Sequence, residues 1–162
     1  MYRTVLRRRL REVFDRINEG DWRAVGDVLE EDVRHVSFGH HALSGERHSR
    51  AAFEAWLRRT MRLFPGLRFE VRRIPMSGPP WNTWAAIHWT DHAVLVDGSP
   101  YENFGITMIN VRWRRVVEVL EYMDTETVAA ACRQIAAAGI DEALAPPLLH
   151  EAEVADLESP VA

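Results

Sequence analysis

The fold is decided by residues 82–123, which read NTWAAIHWTDHAVLVDGSPYENFGITMINVRWRRVVEVLEYM. Apolar and polar side chains alternate along much of this stretch, with the period of two that is typical of a half-buried strand. Asp97-Gly98 interrupts the alternation with a dipeptide that favours a two-residue hairpin turn. The stretch therefore predicts consecutive antiparallel strands over about residues 82–96, 102–113 and 115–123.

Helical spacing dominates the first part of the chain. Apolar side chains fall on one face over about residues 3–18, and Gly20 is expected to end this helix. Asp21 is a suitable N-cap for a second, short helix. A strand is predicted over residues 33–38, followed by a polar, His-rich loop that runs to His48.

A third helix is predicted after this loop. Ser49 is its expected N-cap, the large apolar side chains of residues 53–64 face inward, and Pro65-Gly66 ends it. From Leu67 onward the alternation period changes to two, which predicts a further strand. Helices are therefore segregated from hairpins along the chain. This order favours an α+β domain in which a curved sheet, mixed or antiparallel, folds around the N-terminal and middle helices.

The last helix and the tail complete the predicted organisation. Asp124 is expected to N-cap a helix that runs to about Ala138 and ends at Gly139. We expect a single domain over residues 1–139. Residues 140–162 contain Pro146-Pro147, six acidic residues and no Arg, so they predict an acidic tail that is either a short helix over about residues 148–157 or partly disordered.

Composition excludes several classes of protein and of chemistry. The chain has 162 residues, of which 47% are hydrophobic, and this fits one soluble domain rather than a collagen, a coiled coil or a disordered chain. All 20 basic residues are Arg, so lysine Schiff-base and P-loop lysine chemistry are excluded. Cys132 is the only cysteine, which excludes a disulfide within the chain. Apolar runs fall short of the roughly 18 residues of a membrane span, and the Arg-rich N-terminus lacks the apolar stretch of a secretory signal. We therefore expect a cytoplasmic protein with no membrane partner.

The net charge of −4 conceals an asymmetry between the two halves. Residues 1–80 hold 16 Arg and 11 acidic residues, whereas residues 81–162 hold 4 Arg and 13 acidic residues. The arginines of the basic half alternate with Glu, Asp and apolar residues, which is typical of a solvated surface. Nucleic acid is therefore not an expected partner.

Two carboxylates are predicted on strand faces that are otherwise apolar. Glu121 shares a face with Val117, Val119 and Met123, and Asp91 shares one with Ala85, Ile87, Trp89 and Ala93. If these faces point inward, burial raises the pKa of each carboxyl group and suits it to general acid/base catalysis near neutral pH. The alternative is that Glu121 faces outward, or into a dimer interface, and pairs with an Arg.

The predicted strand over residues 33–38 offers two further polar candidates. His35 and Ser37 alternate with Arg34, Val36 and Phe38, so both can reach the same interior. We expect His35 to titrate near neutral pH, where it would carry a proton or stabilise an enolate, and Ser37 to hydrogen-bond a ligand. Alone, such a histidine is more often structural.

Metal ions and nucleotide cofactors are not expected. His40, His41 and His48 lie in a loop without fixed facing, and no HExxH or paired-carboxylate pattern accompanies them. GxGxxG and P-loop motifs are absent from the sequence. The predicted sheet is rich in aromatic residues, most of which we expect in the core or a dimer interface, with one or two lining a pocket for a flat, apolar ligand.

Several segments together resemble the SnoaL-like polyketide cyclases of the nuclear transport factor 2-like superfamily. These segments are AWL at residues 55–57, RLFPGLRFEV at 62–71, AIHWT at 86–90 and VVEVLEYMD at 116–124, and the resemblance covers about residues 5–139. It implies a cone-shaped α+β fold, a cystatin-like roll, that is usually dimeric and holds a cofactor-free pocket. It also implies that Glu121 is the acid/base residue, where Asp is typical of the branch.

A more distant resemblance is to limonene epoxide hydrolase. The corresponding positions here are Trp89-Thr90-Asp91 on the long strand, Glu121 on the last strand and His35-Val36-Ser37 on the first. Both carboxylates are kept, but Trp89 replaces the Arg that would lie between them. This departure favours proton transfer over epoxide hydrolysis.

Together these features predict a cofactor-independent cyclase or isomerase acting on a small, largely apolar carbonyl compound. Glu121 is the expected acid/base, Asp91 its partner and His35 the third catalytic group. The expected substrate-binding residues are Trp89 as a stacking wall, Ser37, Trp56 and Met123. A second hypothesis is a non-catalytic domain that binds a small molecule or a partner, and a third is an epoxide hydrolase.

Overall fold

The computed structural model describes residues 1–149, which form four α-helices and a curved seven-stranded sheet that wraps around the first three of these helices. The helices are α1 (Tyr2–Asn18), α2 (Arg23–Gly26), α3 (Arg50–Leu63) and α4 (Thr125–Ala137). The strands are β1 (Leu29–Ser37), β2 (Gly45–Arg47), β3 (Arg68–Arg73), β4 (Met76–Ser77), β5 (Asn82–Val94), β6 (Pro100–Arg112) and β7 (Arg115–Met123). The expected α+β class is confirmed.

The sheet is mixed, with strand order β2-β1-β7-β6-β5-β3 and the short β4 paired to β5. Strands β5, β6 and β7 form the antiparallel hairpins that residues 82–123 predict. Strand β1 returns beside β7 in the parallel direction, which places Ser37 opposite Glu121. The first and last long strands are thus neighbours, and their inward residues meet.

Local sequence explains most element boundaries. Ser49 caps α3 by accepting a hydrogen bond from the Ala52 backbone, and the Asp124 carboxylate caps α4 in the same way. The residues around Asp97-Gly98 form the tight turn between β5 and β6, in which Gly98 adopts a positive φ of 86°.

Three local expectations are wrong. Asp21 does not cap α2, because the N-cap is Trp22 and the Asp21 carboxylate accepts hydrogen bonds from Arg16 instead. The polar loop before α3 contains strand β2, which pairs with β1. Val117 does not share the inward face, because the ladder between β6 and β7 shifts register there and Val116 takes the buried position.

The core lies between the concave face of the sheet and helices α1–α3. Apolar side chains from α1, α3 and the inner face of β5 and β6 fill it, including Leu10, Phe53, Ile87 and Ile109. Alternate residues of β5 are buried from Thr83 to Ala93, as the period of two predicts.

The segment after α4 also packs on the domain as far as residue 149. A 3-10 turn spans Asp141–Leu144, and Leu148 is buried. The buried Arg59 of α3 donates to the Pro146 carbonyl and pairs with Glu142. The helix predicted over residues 148–157 lies, beyond residue 149, outside the described residues.

No helix among residues 1–149 is long and apolar enough to cross a membrane. The cytoplasmic location stays a prediction.

Candidate functional site

A cavity of about 120 Å³ lies between the sheet and helices α1–α3. Its wall is mostly aliphatic and aromatic, and its polar members other than tryptophan are Ser37, Thr60, Asp91, Tyr101, Thr107 and Glu121. For comparison, an engineered apolar cavity of about 150 Å³ in another protein binds benzene. The cavity therefore suits a small ligand with a flat, mostly apolar body and one or two polar atoms.

Glu121 presents its carboxyl group to this cavity from the middle of the sheet. The residue is only 8% exposed, and its Oε2 accepts a 2.7 Å hydrogen bond from the Thr107 hydroxyl. Burial raises the pKa of Glu121 to about 7, although the Thr107 hydrogen bond and the charge of Arg47 favour the ionised form. The charge of Asp91 raises the pKa of Glu121 further.

Asp91 lines the same cavity from the long strand β5. Burial raises the pKa of its carboxyl group to about 7, although backbone hydrogen bonds from Asn103 and from Asp91 itself favour the ionised form. Its Oδ1 is buried and has no hydrogen-bond partner among the described residues. This oxygen is therefore available to a polar group of a ligand.

Trp89 connects to Glu121 through Thr107. The indole Nε1 donates to the Thr107 hydroxyl at 2.9 Å, and that hydroxyl in turn donates to Glu121. Gly105 makes room for the indole, because a Cβ there would lie 2.6 Å from Cζ2 of Trp89. Our sequence reasoning missed Thr107, although it lies on the same face of β6 as the buried Asn103 and Ile109.

His35 lies behind the cavity wall and is fully buried. Its ring packs against Phe53 and Trp56, with centroid distances of 4.4 Å to each. Its Nδ1 lies 2.8 Å from Nη1 of Arg47, and a guanidinium can only donate, so Nδ1 accepts and the neutral ring carries its hydrogen on Nε2. That Nε2 lies 3.9 Å from Oε1 of Glu121.

The expectation that His35 titrates near neutral pH is wrong. Burial, together with the charge of Arg47, holds the pKa of His35 well below its ordinary value. The imidazole is therefore neutral at pH 7. It can donate a hydrogen bond through Nε2, but burial disfavours the protonated ring that a proton carrier needs.

Arg47 is a site residue that our sequence reasoning missed. It lies on β2, within the loop predicted to be polar, and yet it is completely buried. Its Nε donates to the Leu148 carbonyl and its Nη2 to the Ser44 carbonyl, both at 2.8 Å. Hydrogen bonds to these backbone carbonyls stabilise the charged side chain in the interior. No local sequence pattern predicts them.

Six of the seven predicted site residues line this cavity: Glu121, Asp91, Trp89, Ser37, Trp56 and Met123. His35 is the exception, since it is not among the lining residues. The Ser37 hydroxyl has no hydrogen-bond partner among the described residues, whereas Trp56 donates its indole N–H to the Leu43 carbonyl at 2.7 Å. The site thus offers three polar groups to a ligand, from Ser37, Asp91 and Glu121.

The two carboxyl groups can divide acid and base roles. Each has a pKa of about 7, and the charge of Asp91 disfavours ionisation of Glu121, so near neutral pH the state with one proton on the pair is well populated. No Arg is among the described residues that line the cavity. One group can therefore accept a proton while the other donates one.

Comparison with known proteins places this geometry in context. Residues 10–119 match the SnoaL-like domain family. No curated protein sequence matches the chain.

Solved structures share the fold at low sequence identity. PrhC from Penicillium brasilianum is similar with a TM-score of 0.72 and 16% identity, over 88% of this chain and 98% of that one. An NTF2-like protein of unknown function from Burkholderia pseudomallei is similar with a TM-score of 0.68 and 18% identity, over 76% of this chain and 94% of that one. A putative polyketide cyclase from Xanthomonas campestris is similar with a TM-score of 0.58 and 23% identity, over 75% of this chain and 92% of that one.

Proposed function

The chain belongs to the SnoaL-like domain family, and from that premise we propose that it is a cofactor-independent acid/base enzyme of the cyclase or isomerase type. Its substrate would be a small, largely apolar carbonyl compound. One observation carries the proposal: Asp91 and Glu121 both line a single, mostly apolar cavity and both have a pKa of about 7.

Their surroundings suggest how the two groups divide the work. The Thr107 hydroxyl donates to Glu121, and the charge of Arg47 also favours its ionised form, so Glu121 is the proposed base. Asp91 has an unpartnered oxygen in the cavity wall and is the proposed acid. Trp89 would form a flat wall against the substrate, and Ser37 would hydrogen-bond a polar atom.

The reaction is a pair of proton transfers. Glu121 takes a proton from the carbon next to the carbonyl group, and the C–H electron pair moves to form a carbon–carbon double bond. As the C=O π pair moves to the carbonyl oxygen, protonated Asp91 gives that oxygen its proton, which yields a neutral enol, a protonated Glu121 and an ionised Asp91. In an isomerase, the enol then takes a proton back on carbon from Glu121. In a cyclase, the enol carbon attacks a second carbonyl carbon, and the oxygen of that carbonyl takes the proton from Glu121. In both cases the first C=O bond re-forms and ionised Asp91 recovers the O–H proton.

The proposal is tested by hydrogen exchange on acetophenone, a single-ring ketone with acidic methyl hydrogens. In D₂O, the enzyme should replace these hydrogens by deuterium, which NMR or mass spectrometry detects. General acid/base catalysis contributes about 10² to 10⁴-fold, so E121Q and D91N should each lower the exchange rate by at least about 100-fold.

The matched control is E118Q on the same strand. Glu118 points to the opposite face of β7, where it pairs with Arg34. We expect E118Q to exchange at the wild-type rate. Exchange in E121Q at the wild-type rate, with acetophenone still bound, would remove the central residue from the proposal.

The other two hypotheses are distinguished by the same cavity. Epoxide hydrolysis of the limonene epoxide hydrolase type uses an Arg between the carboxylates, and no Arg is among the described lining residues, so proton transfer is favoured. A binding domain without catalysis would take up acetophenone and leave its methyl hydrogens unexchanged.

We also propose that the chain forms a homodimer through the outer face of the sheet. Phe104 is 65% exposed there, and Phe38 and Tyr122 stack on each other with a centroid distance of 4.7 Å. Phe104 on β6, Tyr122 on β7 and Phe38 directly after β1 form an apolar surface that a second copy could cover. Light scattering on F104E should then show a monomer and on the wild type a dimer, whereas a monomeric wild type would refute this proposal.

A further inference from the structure

We propose that Arg47 and His35 act together as positioning residues for Glu121: Arg47 holds the neutral imidazole with its hydrogen on Nε2, and this N–H is directed at Oε1 of Glu121. The inference rests on the proposed acid/base function of Glu121. It assigns His35 a fixed donor role in place of the expected proton-carrying one, and it adds Arg47 to the site.

The Arg47 side chain is held in one orientation. All three of its nitrogen atoms have assigned partners, namely the Leu148 carbonyl, the Ser44 carbonyl and Nδ1 of His35, each at 2.8 Å. The guanidinium plane also lies near the Trp56 ring, with its central carbon 5.7 Å from the centroid. Because an arginine never accepts a hydrogen bond, this arrangement admits only one neutral tautomer of His35.

The imidazole ring is likewise held in place. Phe53 and Trp56 contact it with ring planes inclined at 67° and 64°, so the ring has little freedom to turn. Its Nε2 is completely buried, has no hydrogen-bond partner among the described residues and lies 3.9 Å from Oε1 of Glu121. A movement of about 1 Å brings the pair to ordinary hydrogen-bond distance.

Glu121 would then receive one hydrogen bond on each carboxylate oxygen. The Trp89–Thr107 chain ends on Oε2, and the Arg47–His35 chain ends on Oε1. The remaining lone pairs stay available to a substrate hydrogen. Two fixed donors define the plane of the carboxylate, which general-base catalysis requires.

The charges around Glu121 support the same assignment. In the described part of the chain, the charged or titratable groups that act on it are Asp91 from β5, Arg47 from β2 and His35 from β1. Asp91 disfavours the ionised form, Arg47 favours it, and His35 is neutral. Arg47 therefore offsets part of the repulsion between the two carboxylates without entering the cavity.

The first test is the tautomer of His35 in the wild-type protein. Two-dimensional ¹⁵N NMR should show a protonated Nε2 and an unprotonated, hydrogen-bonded Nδ1, unchanged between about pH 5.5 and 7.5, one unit either side of an ordinary histidine pKa. A protonated Nδ1, or a doubly protonated ring in this range, would overturn the inference whether or not any variant folds.

The second test compares H35Q with H35L. A glutamine amide can accept from Arg47 through its oxygen and donate to Glu121 through its nitrogen, but it cannot carry a proton. We therefore expect H35Q to exchange acetophenone hydrogens within about threefold of the wild type, and H35L to be slower by roughly tenfold, the effect of about one hydrogen bond. Equal losses in both variants would contradict a positioning role.

The third test is R47M, with R59M as its matched control. Both arginines are buried and both donate to the segment after α4, but only Arg47 contacts His35. R47M should mix the two tautomers and move the pH profile of exchange to higher pH, because a charge that favours ionised Glu121 is lost. R59M should change neither the tautomer of His35 nor the pH profile of exchange. If R59M shifts that profile as much as R47M does, the shift comes from lost packing and not from the lost contact with His35.

These outcomes separate the inference from the proposed function. If the wild-type protein binds acetophenone without exchanging its hydrogens, the acid/base function fails, while the tautomer of His35 and the ¹³C titration of the Glu121 carboxyl in R47M still decide the positioning role. If exchange occurs and neither R47M nor H35L alters it, the function stands and the inference fails.

Discussion

Replacing Asp91 by Asn should stabilise the folded protein, and more so at high pH. Asp91 lies in the apolar cavity wall with one oxygen unpartnered among the described residues, and burial raises its pKa from 3.8 to about 7. Asparagine fills nearly the same volume and never ionises. D91N therefore removes the cost of a buried charge and leaves the packing in place.

The direction and the size of this change in stability follow from the pKa of Asp91 in the folded protein, about 7, and its ordinary value of 3.8. The folded protein keeps the Asp91 proton over a pH range in which the unfolded chain has lost it, so this group stabilises the fold at low pH and the contribution disappears as pH rises through about 7. At about 1.36 kcal/mol per pKa unit, the full effect is roughly 4 kcal/mol. Between pH 5 and pH 8, the advantage of D91N should grow by about 2.5 kcal/mol.

Urea unfolding of D91N and wild type at both pH values measures this difference. D91N must be compared with the wild type at each pH, because other groups also change stability with pH. His35 and His41 have lowered pKa values, so both proteins lose stability as pH falls below about 6.5. D97N is the control: hydrogen bonds from Ser99 lower the pKa of Asp97 below 3.8, so D97N should be less stable than the wild type by a similar amount at pH 5 and pH 8. A constant difference between D91N and wild type would refute the raised pKa of Asp91.

Three further substitutions test individual features of the fold. G105A should lower the free energy of unfolding by about 1 to 3 kcal/mol, measured by urea unfolding, because the added Cβ would displace the Trp89 ring. Near-ultraviolet circular dichroism reports that displacement. An unchanged Trp89 signal would contradict the close contact between Gly105 and the indole. R114G should raise the thermal midpoint, because Arg114 has a φ of 75° that costs a non-glycine residue about 1 kcal/mol, and a lower midpoint would contradict this. S49A should lower the free energy of unfolding by about 1 kcal/mol through loss of the α3 N-cap, and a neutral effect would show that the cap contributes little.

Much of the fold follows from local signals in the sequence. The alternation of residues 82–123 and the turn at Asp97-Gly98 predict the β5–β6–β7 hairpins, and Ser49 and Asp124 mark the starts of α3 and α4. The same alternation places Asp91 and Glu121 on otherwise apolar faces, and the structure shows that both residues are buried on the inner side of the sheet. These features depend on neighbours in the chain, so a single sequence is sufficient to predict them.

The residues around Glu121 depend instead on contacts between distant segments. Arg47 is buried because Ser44 and Leu148 provide carbonyl acceptors, and Leu148 lies 101 residues further along the chain. The pKa of His35 is lowered by its complete burial and by the charge of Arg47, neither of which a local pattern reveals. A strict period of two also does not predict the register shift at Val117, because a bulge reverses which face the following residues point to.

The most direct test of the account is a ¹³C NMR titration of the Asp91 and Glu121 side-chain carboxyl groups. Both groups should titrate near pH 7, far above their ordinary values of 3.8 and 4.5, because both are buried in one apolar cavity. D91N should lower the titration midpoint of Glu121, because the charge of Asp91 raises it. If both groups instead ionise below about pH 5, the cavity holds two permanent carboxylates and the proposed division into acid and base is contradicted.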